Sequence, residues 1–151
     1  MTRMDPKLRR IADYLLARLE RDAIDPLDIA PDLLPHFFIL EIRQQGASPA
    51  SLHIRLVGTA LDIAFGRCVS GRDLEDFLHG PRSADVLDGF RRCHAERQPL
   101  WMRQVVRIGD KVPRFVEGVA CPVMPNFIYG GLNLGEASKT DDQPGFESRP
   151  L

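Results

Sequence analysis

Apolar positions along the chain follow two repeats, and the switches between them mark the elements. In DPKLRRIADYLLARLERD (residues 5 to 22), Leu8, Ile11, Ala12, Leu15, Leu16 and Leu19 recur every three or four residues. That spacing predicts an amphipathic helix. Asp5 stands where an N-cap belongs, and Pro6 follows at a position that needs no amide donor. Arg10, Asp13, Arg18 and Arg21 occupy the polar face. The apolar stripe must be covered by the chain's own domain or by a second copy.

Prolines punctuate AIDPLDIAPDLLP, a connector ending at Pro35. HFFILEIR (36 to 43) is aromatic and branched, with apolar residues on both faces, and predicts a strand in the middle of a covered sheet. SLHIRLVG alternates Leu52, Ile54 and Leu56 with His53 and Arg55, a half-buried strand that stops at Gly58. Short helical turns follow. Ser70 and Asp73 have capping-box spacing, and Leu74, Phe77 and Leu78 form a small apolar face.

Pro81 opens a longer helix to about Arg97, with Val86, Leu87, Phe90, Cys93 and His94 toward the core. LWMRQVVRI, a GDK turn (109 to 111), VPRFVEGVACPVM and FIYGGLNL predict a three-strand meander. Phe115, Val119, Cys121 and Val123 share a face of its second strand. The Gly130–Gly131 pair marks a close backbone approach or a bulge. GEASKTDDQPGFESRPL, residues 135 to 151, is polar and breaker-rich and reads as a disordered tail. The predicted architecture is α+β: a five-stranded antiparallel sheet with helices on one face, preceded by the amphipathic helix.

Composition narrows the function. The 151 residues suit one domain, and a net charge of -1 supplies no field for nucleic acid or an anionic membrane. No apolar run reaches membrane-spanning length, and MTRMDPKLRR lacks a signal-peptide core, so a cytoplasmic location is expected. The three cysteines, Cys68, Cys93 and Cys121, form no CxxC and read as buried free thiols.

Familiar catalytic patterns are missing. GRCVSG lacks the spacing of a dinucleotide loop, and neither a GK[ST] loop nor GxSxG occurs. The four histidines, His36, His53, His79 and His94, make no HxH or HExxH, so no metal site is expected. His94 reads first as a hydrogen-bonded histidine at the core's edge, with a haem ligand or pocket residue as the sharper role. Glu117 reads as an exposed strand residue, although alternation puts it with Phe115 and Val119. Asp73, Glu75 and Asp76 read as solvated. Arg82, Arg91, Arg92, Arg97, Arg103, Arg107 and Arg114, interleaved with acids, read as a salt-bridged face, with docking of an acidic partner as the alternative.

Together, LLPHFFILEI, LHIRLVGTAL, FGRCVSGRDLEDFL, a long helix ending in RQPLW and a meander resemble a PAS domain. The pattern is similar to small single-domain PAS proteins of proteobacteria. The strand phrase Ile54-Arg55-Leu56-Val57-Gly58-Thr59 and the segment from Phe65-Gly66-Arg67 to Gly71-Arg72 carry the likeness. It covers residues 33 to 134, leaving 1 to 32 as helix and connector and 135 to 151 as tail.

The resemblance implies a five-stranded sheet whose helical face encloses a small-molecule cleft, and dimerisation through a flanking N-terminal helix. FLHGP (77 to 81) resembles a segment of flavin-binding photosensors, but their cysteine would fall at Glu75, so covalent flavin photochemistry is not expected. Haem-binding members carry a histidine on the long helix, where His94 lies. The cofactor is left open, with haem the lesser option.

The leading expectation is a sensory or regulatory module without enzymatic output, acting as a homodimer on an unidentified signalling protein. Its cleft would be lined by Leu56, Phe77, Phe90, Cys93, His94, Met102 and Val119. Leu8, Ile11, Leu15, Leu16 and Leu19 would form the dimer contact. Two rivals stand beside it: a small α+β enzyme using His94 and Glu117 as an acid–base pair, and a ligand-free adaptor.

Overall fold

A computed structural model describes residues 3–19, 24–44, 46–79, 83–108, 114–123, 125–136 and 146–151. The elements run α1 (Pro6–Leu16), β1 (Phe37–Arg43), β2 (Ser51–Val57), α2 (Thr59–Phe65), β3 (Leu78–His79), α3 (Ser83–Ala95), β4 (Leu100–Ile108), β5 (Arg114–Val123), β6 (Phe127–Glu136) and β7 (Glu147–Pro150). Three short 3-10 turns, Pro26–Asp28, Leu34–His36 and Leu74–Asp76, lie between them. The fold is α+β. The GDK turn lies outside the described residues.

One antiparallel sheet, ordered β2-β1-β6-β5-β4-β3, organises the chain. The five expected strands are its body, and two short strands add to it, both on the outer edge of β4. There Leu78 pairs with Ile108, and β7 runs from Leu100↔Pro150 to Arg103↔Glu147. The expected disordered tail is therefore corrected over its last residues. An unpaired edge of β4 offers backbone donors and acceptors that β7 satisfies, and Leu151 adds an N–H bond to Pro99 O at 3.0 Å. Side chains reinforce the pairing. Arg149 lies over the Trp101 ring at 4.4 Å, while Phe146 packs against the core on the other face.

Both faces of the sheet are covered, which corrects the expectation of helices on one face only. On one side α2, α3 and the Leu74–Asp76 turn bury Phe38, Leu40, Leu52, Ile54, Leu61, Phe65, Phe77, Phe90, Met102 and Ile128. On the other, α1 sets Leu8, Ile11, Ala12 and Leu15 against Phe37, Ile39, Trp101, Val119 and Cys121. This is why β1 reads apolar on both faces.

α1 begins as its sequence dictates: the Asp5 side chain accepts from Lys7 N at 2.8 Å and Leu8 N at 3.3 Å, with Pro6 at the first helical position. It ends at Leu16, short of the expected residue 22. Gly131 lets it lie close, because a Cβ there would meet Ile11 at 2.6 Å. Gly58 ends β2 beneath the Leu34–His36 turn and leads into α2, which closes at Gly66 in the left-handed region, φ 78°. Asp73, not Ser70, precedes the Leu74–Asp76 turn, and its side chain makes no cap bond there. No helix among the described residues is long and apolar enough to cross a membrane.

Candidate functional site

The layer between the sheet and α3 brings together four of the seven expected cleft residues. Phe77, Phe90, Cys93 and Met102 are all nearly or fully buried there, at 0–3% exposure. Phe90 meets Phe38 edge-on at 5.6 Å, and Phe77 tilts against Phe65 at 5.7 Å. α3 faces this layer because Val86, Phe90 and Cys93 follow its helical period. Leu100 and Met102 point into it from β4 by strand alternation.

Three expected residues are elsewhere. Leu56 is 38% exposed, because the β1–β2 register shifts between Ile39↔Leu56 and Leu40↔Ile54. The extra residue, Arg55, makes a bulge that turns Leu56 away from the face of Ile54. Val119 is fully buried, but on the α1 side of the sheet. His94 leaves the core at the last turn of α3 and bonds through Nε2 to Pro125 O at 3.0 Å.

His94 lines an outer groove of about 420 Å³ with Ile42, Gln44, Ala50, Arg91, Ala95 and Asn126. Arg91 is built into its wall: Nε donates to Ala50 O at 2.7 Å, Nη1 meets Asp88 at 3.0 Å, and Nη2 lies 3.8 Å from Glu75. Glu75 in turn accepts from Leu52 N at 2.8 Å, and burial raises its carboxyl above the usual range. It is not the solvated acid the sequence suggests. His94 Nε2 is engaged by the Pro125 carbonyl and its ring lies in the outer groove, not in the layer between the sheet and α3, so the geometry gives a haem-ligand role no support in that layer. Among the described residues, no group of three or more His, Cys, Asp or Glu side chains is placed to hold a metal ion.

Gln104 is the functional candidate missed by the sequence reading. It is 2% exposed, pairs with Val116 across β4–β5, and its Oε1 has no hydrogen-bond partner. Two residues beyond Met102, it lies on the inward face by alternation, and that spacing was the available signal. A buried amide oxygen left unpaired costs on the order of 1–3 kcal/mol, so a native chain that keeps one has a use for it or a partner to bring.

The remaining polar groups are structural. Glu117 is buried, not exposed, and accepts from Trp101 Nε1 at 3.0 Å and Asp5 N at 2.8 Å on the α1 side. The sheet therefore separates it from His94, and the proposed acid–base pair does not assemble. Burial pushes the Cys93 thiol up to about 12, with a smaller contribution from Cys121, and pushes Cys121 up to about 12 as well. Cys68 departs from the expectation of buried thiols and is exposed.

The dimer stripe is likewise spent within the chain. Leu8, Ile11 and Leu15 are at 0–1% exposure against the sheet, while Leu16 and Leu19 are half-buried at the margin of that core. No protein-family model matches the chain, and no curated protein matches it.

Proposed function

We propose that the chain is a PAS-type sensory or regulatory module without catalytic output. It takes a small molecule into the layer between the sheet and α3 and passes the change to a partner protein or a second copy. Gln104 carries this reading: an unpaired amide oxygen, buried between apolar Met102 and Val116, is a recognition group awaiting a donor. The PAS resemblance of residues 33 to 134 supports the same location. Homodimerisation remains part of the proposal, but through surface other than the Leu8–Ile11–Leu15 stripe.

The close packing of Phe77, Phe90, Cys93 and Met102 favours a second reading, an adaptor that binds no small molecule. One experiment separates them. Protein purified without denaturant is scanned for absorption, then denatured, and the released small molecules are weighed by mass spectrometry. A stoichiometric compound supports the sensor. Empty protein from several expression conditions, still empty after incubation with a metabolite extract, defeats it in favour of the adaptor.

A further inference from the structure

We infer that Phe146 is a built-in plug for this layer, and that the ligand is a small, uncharged ring compound with one hydrogen-bond donor that displaces Phe146 and donates to Gln104 Oε1. The inference rests on the ligand-binding reading above and adds the ligand's chemistry and what controls its entry.

Three observations converge at the outer edge of β4. Phe146 is half-buried and packs against the same core that holds Met102 and Val116. The β4–β7 register pairs Met102 with Ser148 and Arg103 with Glu147, and carried on by one residue it sets Phe146 level with Gln104. Above them, α3 has a glycine: a Cβ on Gly89 would collide with Met102 Sδ and fall 3.3 Å from the Phe146 ring. The missing side chain makes room chiefly for Met102 and lets α3 approach the Phe146 ring.

The energetics favour exchange. Phe146 fills apolar space but has no polar atom on its side chain to offer Gln104, so the plugged state leaves Oε1 unpaired. A ring of similar size with an N–H or O–H keeps the apolar contacts and adds the missing bond. A charged ligand is disfavoured, because the side chains beside Gln104 on this face, Met102, Val116 and Phe146, are hydrocarbon or thioether and would desolvate a charge without pairing it. Releasing the plug breaks a four-residue edge strand, β7, rather than the body of the sheet.

Indole and indene, alike in shape but with and without an N–H, test this on the full chain by ¹H–¹⁵N NMR. Indole is expected to shift the Gln104 side-chain amide and the β7 backbone amides, and to bind about tenfold tighter than indene, as one buried hydrogen bond allows. Phe146→Ala, confirmed folded by circular dichroism, is expected to bind indole about tenfold tighter than the parent, since the plug is gone. Gln104→Leu is expected to abolish the preference for indole.

Equal binding of the two probes, no gain in Phe146→Ala, or shifts confined to the His94 groove each overturns the inference. Absence of binding in folded Phe146→Ala does so too. If a native compound is nevertheless released from purified protein, the sensor reading survives and only the plug falls.

Discussion

The main-chain N–H of Asp5 donates to Glu117 Oε2 at 2.8 Å, joining residues 112 positions apart. The same oxygen accepts from Trp101 Nε1 at 3.0 Å, while Asp5 caps α1 through Oδ1 and accepts from Asn133 Nδ2 at 3.3 Å through Oδ2. One buried carboxylate thus fixes the start of α1 over β4, β5 and β6. Without it, two donors lose their acceptor inside the structure.

Glu117→Ala is therefore expected to cost about 2–4 kcal/mol in urea unfolding, since each stranded donor carries its own desolvation penalty. Glu117→Gln keeps a carbonyl acceptor and is expected to cost less than half as much. An alanine variant as stable as the parent would remove Glu117 as the anchor.

Two glycines are held by close approach. A Cβ on Gly58 would run into the backbone of Leu34 and Pro35, and one on Gly130 into the Val119 carbonyl and the Phe38 ring. Backbone cannot step aside as a flexible side chain does, so Gly58→Ala and Gly130→Ala are each expected to cost about 3 kcal/mol or more. Gly135 has open space around the same position, and Gly135→Ala is expected to stay within about 0.5 kcal/mol. Thermal melts of the three variants side by side give the answer. Similar midpoints for all three would mean that the approach at Gly58 and Gly130 is looser than described.

Local periodicity made α1, α3, the meander and the two-sided burial of β1 legible, because helix stripes and strand alternation follow from sequence spacing alone. Alternation puts Leu56 on the inward face because it counts no bulges, and a single extra residue at Arg55 flips that face. Val119 lies in the α1 layer and not the expected one, because a strand covered on both sides is apolar on both and its spacing does not say which layer lies on which side. β7 was missed because its order comes from the long-range edge of β4, not from the propensity of its breaker-rich segment. Gln104 was within reach: its inward parity was plain, but its lack of a partner shows only in three dimensions.

Cys93 and Cys121 are buried thiols held well above their ordinary value near 9, to about 12. Below pH 9 the folded and unfolded chains both keep these protons, and the two groups contribute no pH dependence. Between about 9 and 12 the unfolded chain releases them while the folded chain does not, so stability falls as pH rises, by up to about 1.4 kcal/mol per thiol per pH unit. Cys93→Ala/Cys121→Ala is expected to show a shallower alkaline loss than the parent. In folded protein at neutral pH only Cys68 is expected to react with a thiol reagent, and unfolding should release the other two. Rapid labelling of Cys93 or Cys121 in the native state contradicts this assignment.

Leu15 decides what the α1 stripe is for. It is fully buried with Leu8 and Ile11 against the chain's own sheet, so truncation leaves a cavity inside one molecule rather than a gap between two. Leu15→Ala is expected to cost about 2–5 kcal/mol, with a urea midpoint unchanged across a roughly hundredfold range of protein concentration. Leu16→Ala and Leu19→Ala, at half-buried positions, are expected to cost distinctly less. A stripe that served as the contact between copies gives the opposite signature: mass action would lower the parent's midpoint on dilution, and Leu15→Ala would yield a folded monomer. Light scattering and urea titration of the same samples read both quantities together. A concentration-independent midpoint with a large Leu15→Ala loss places any self-association of this chain on a surface away from the α1 stripe.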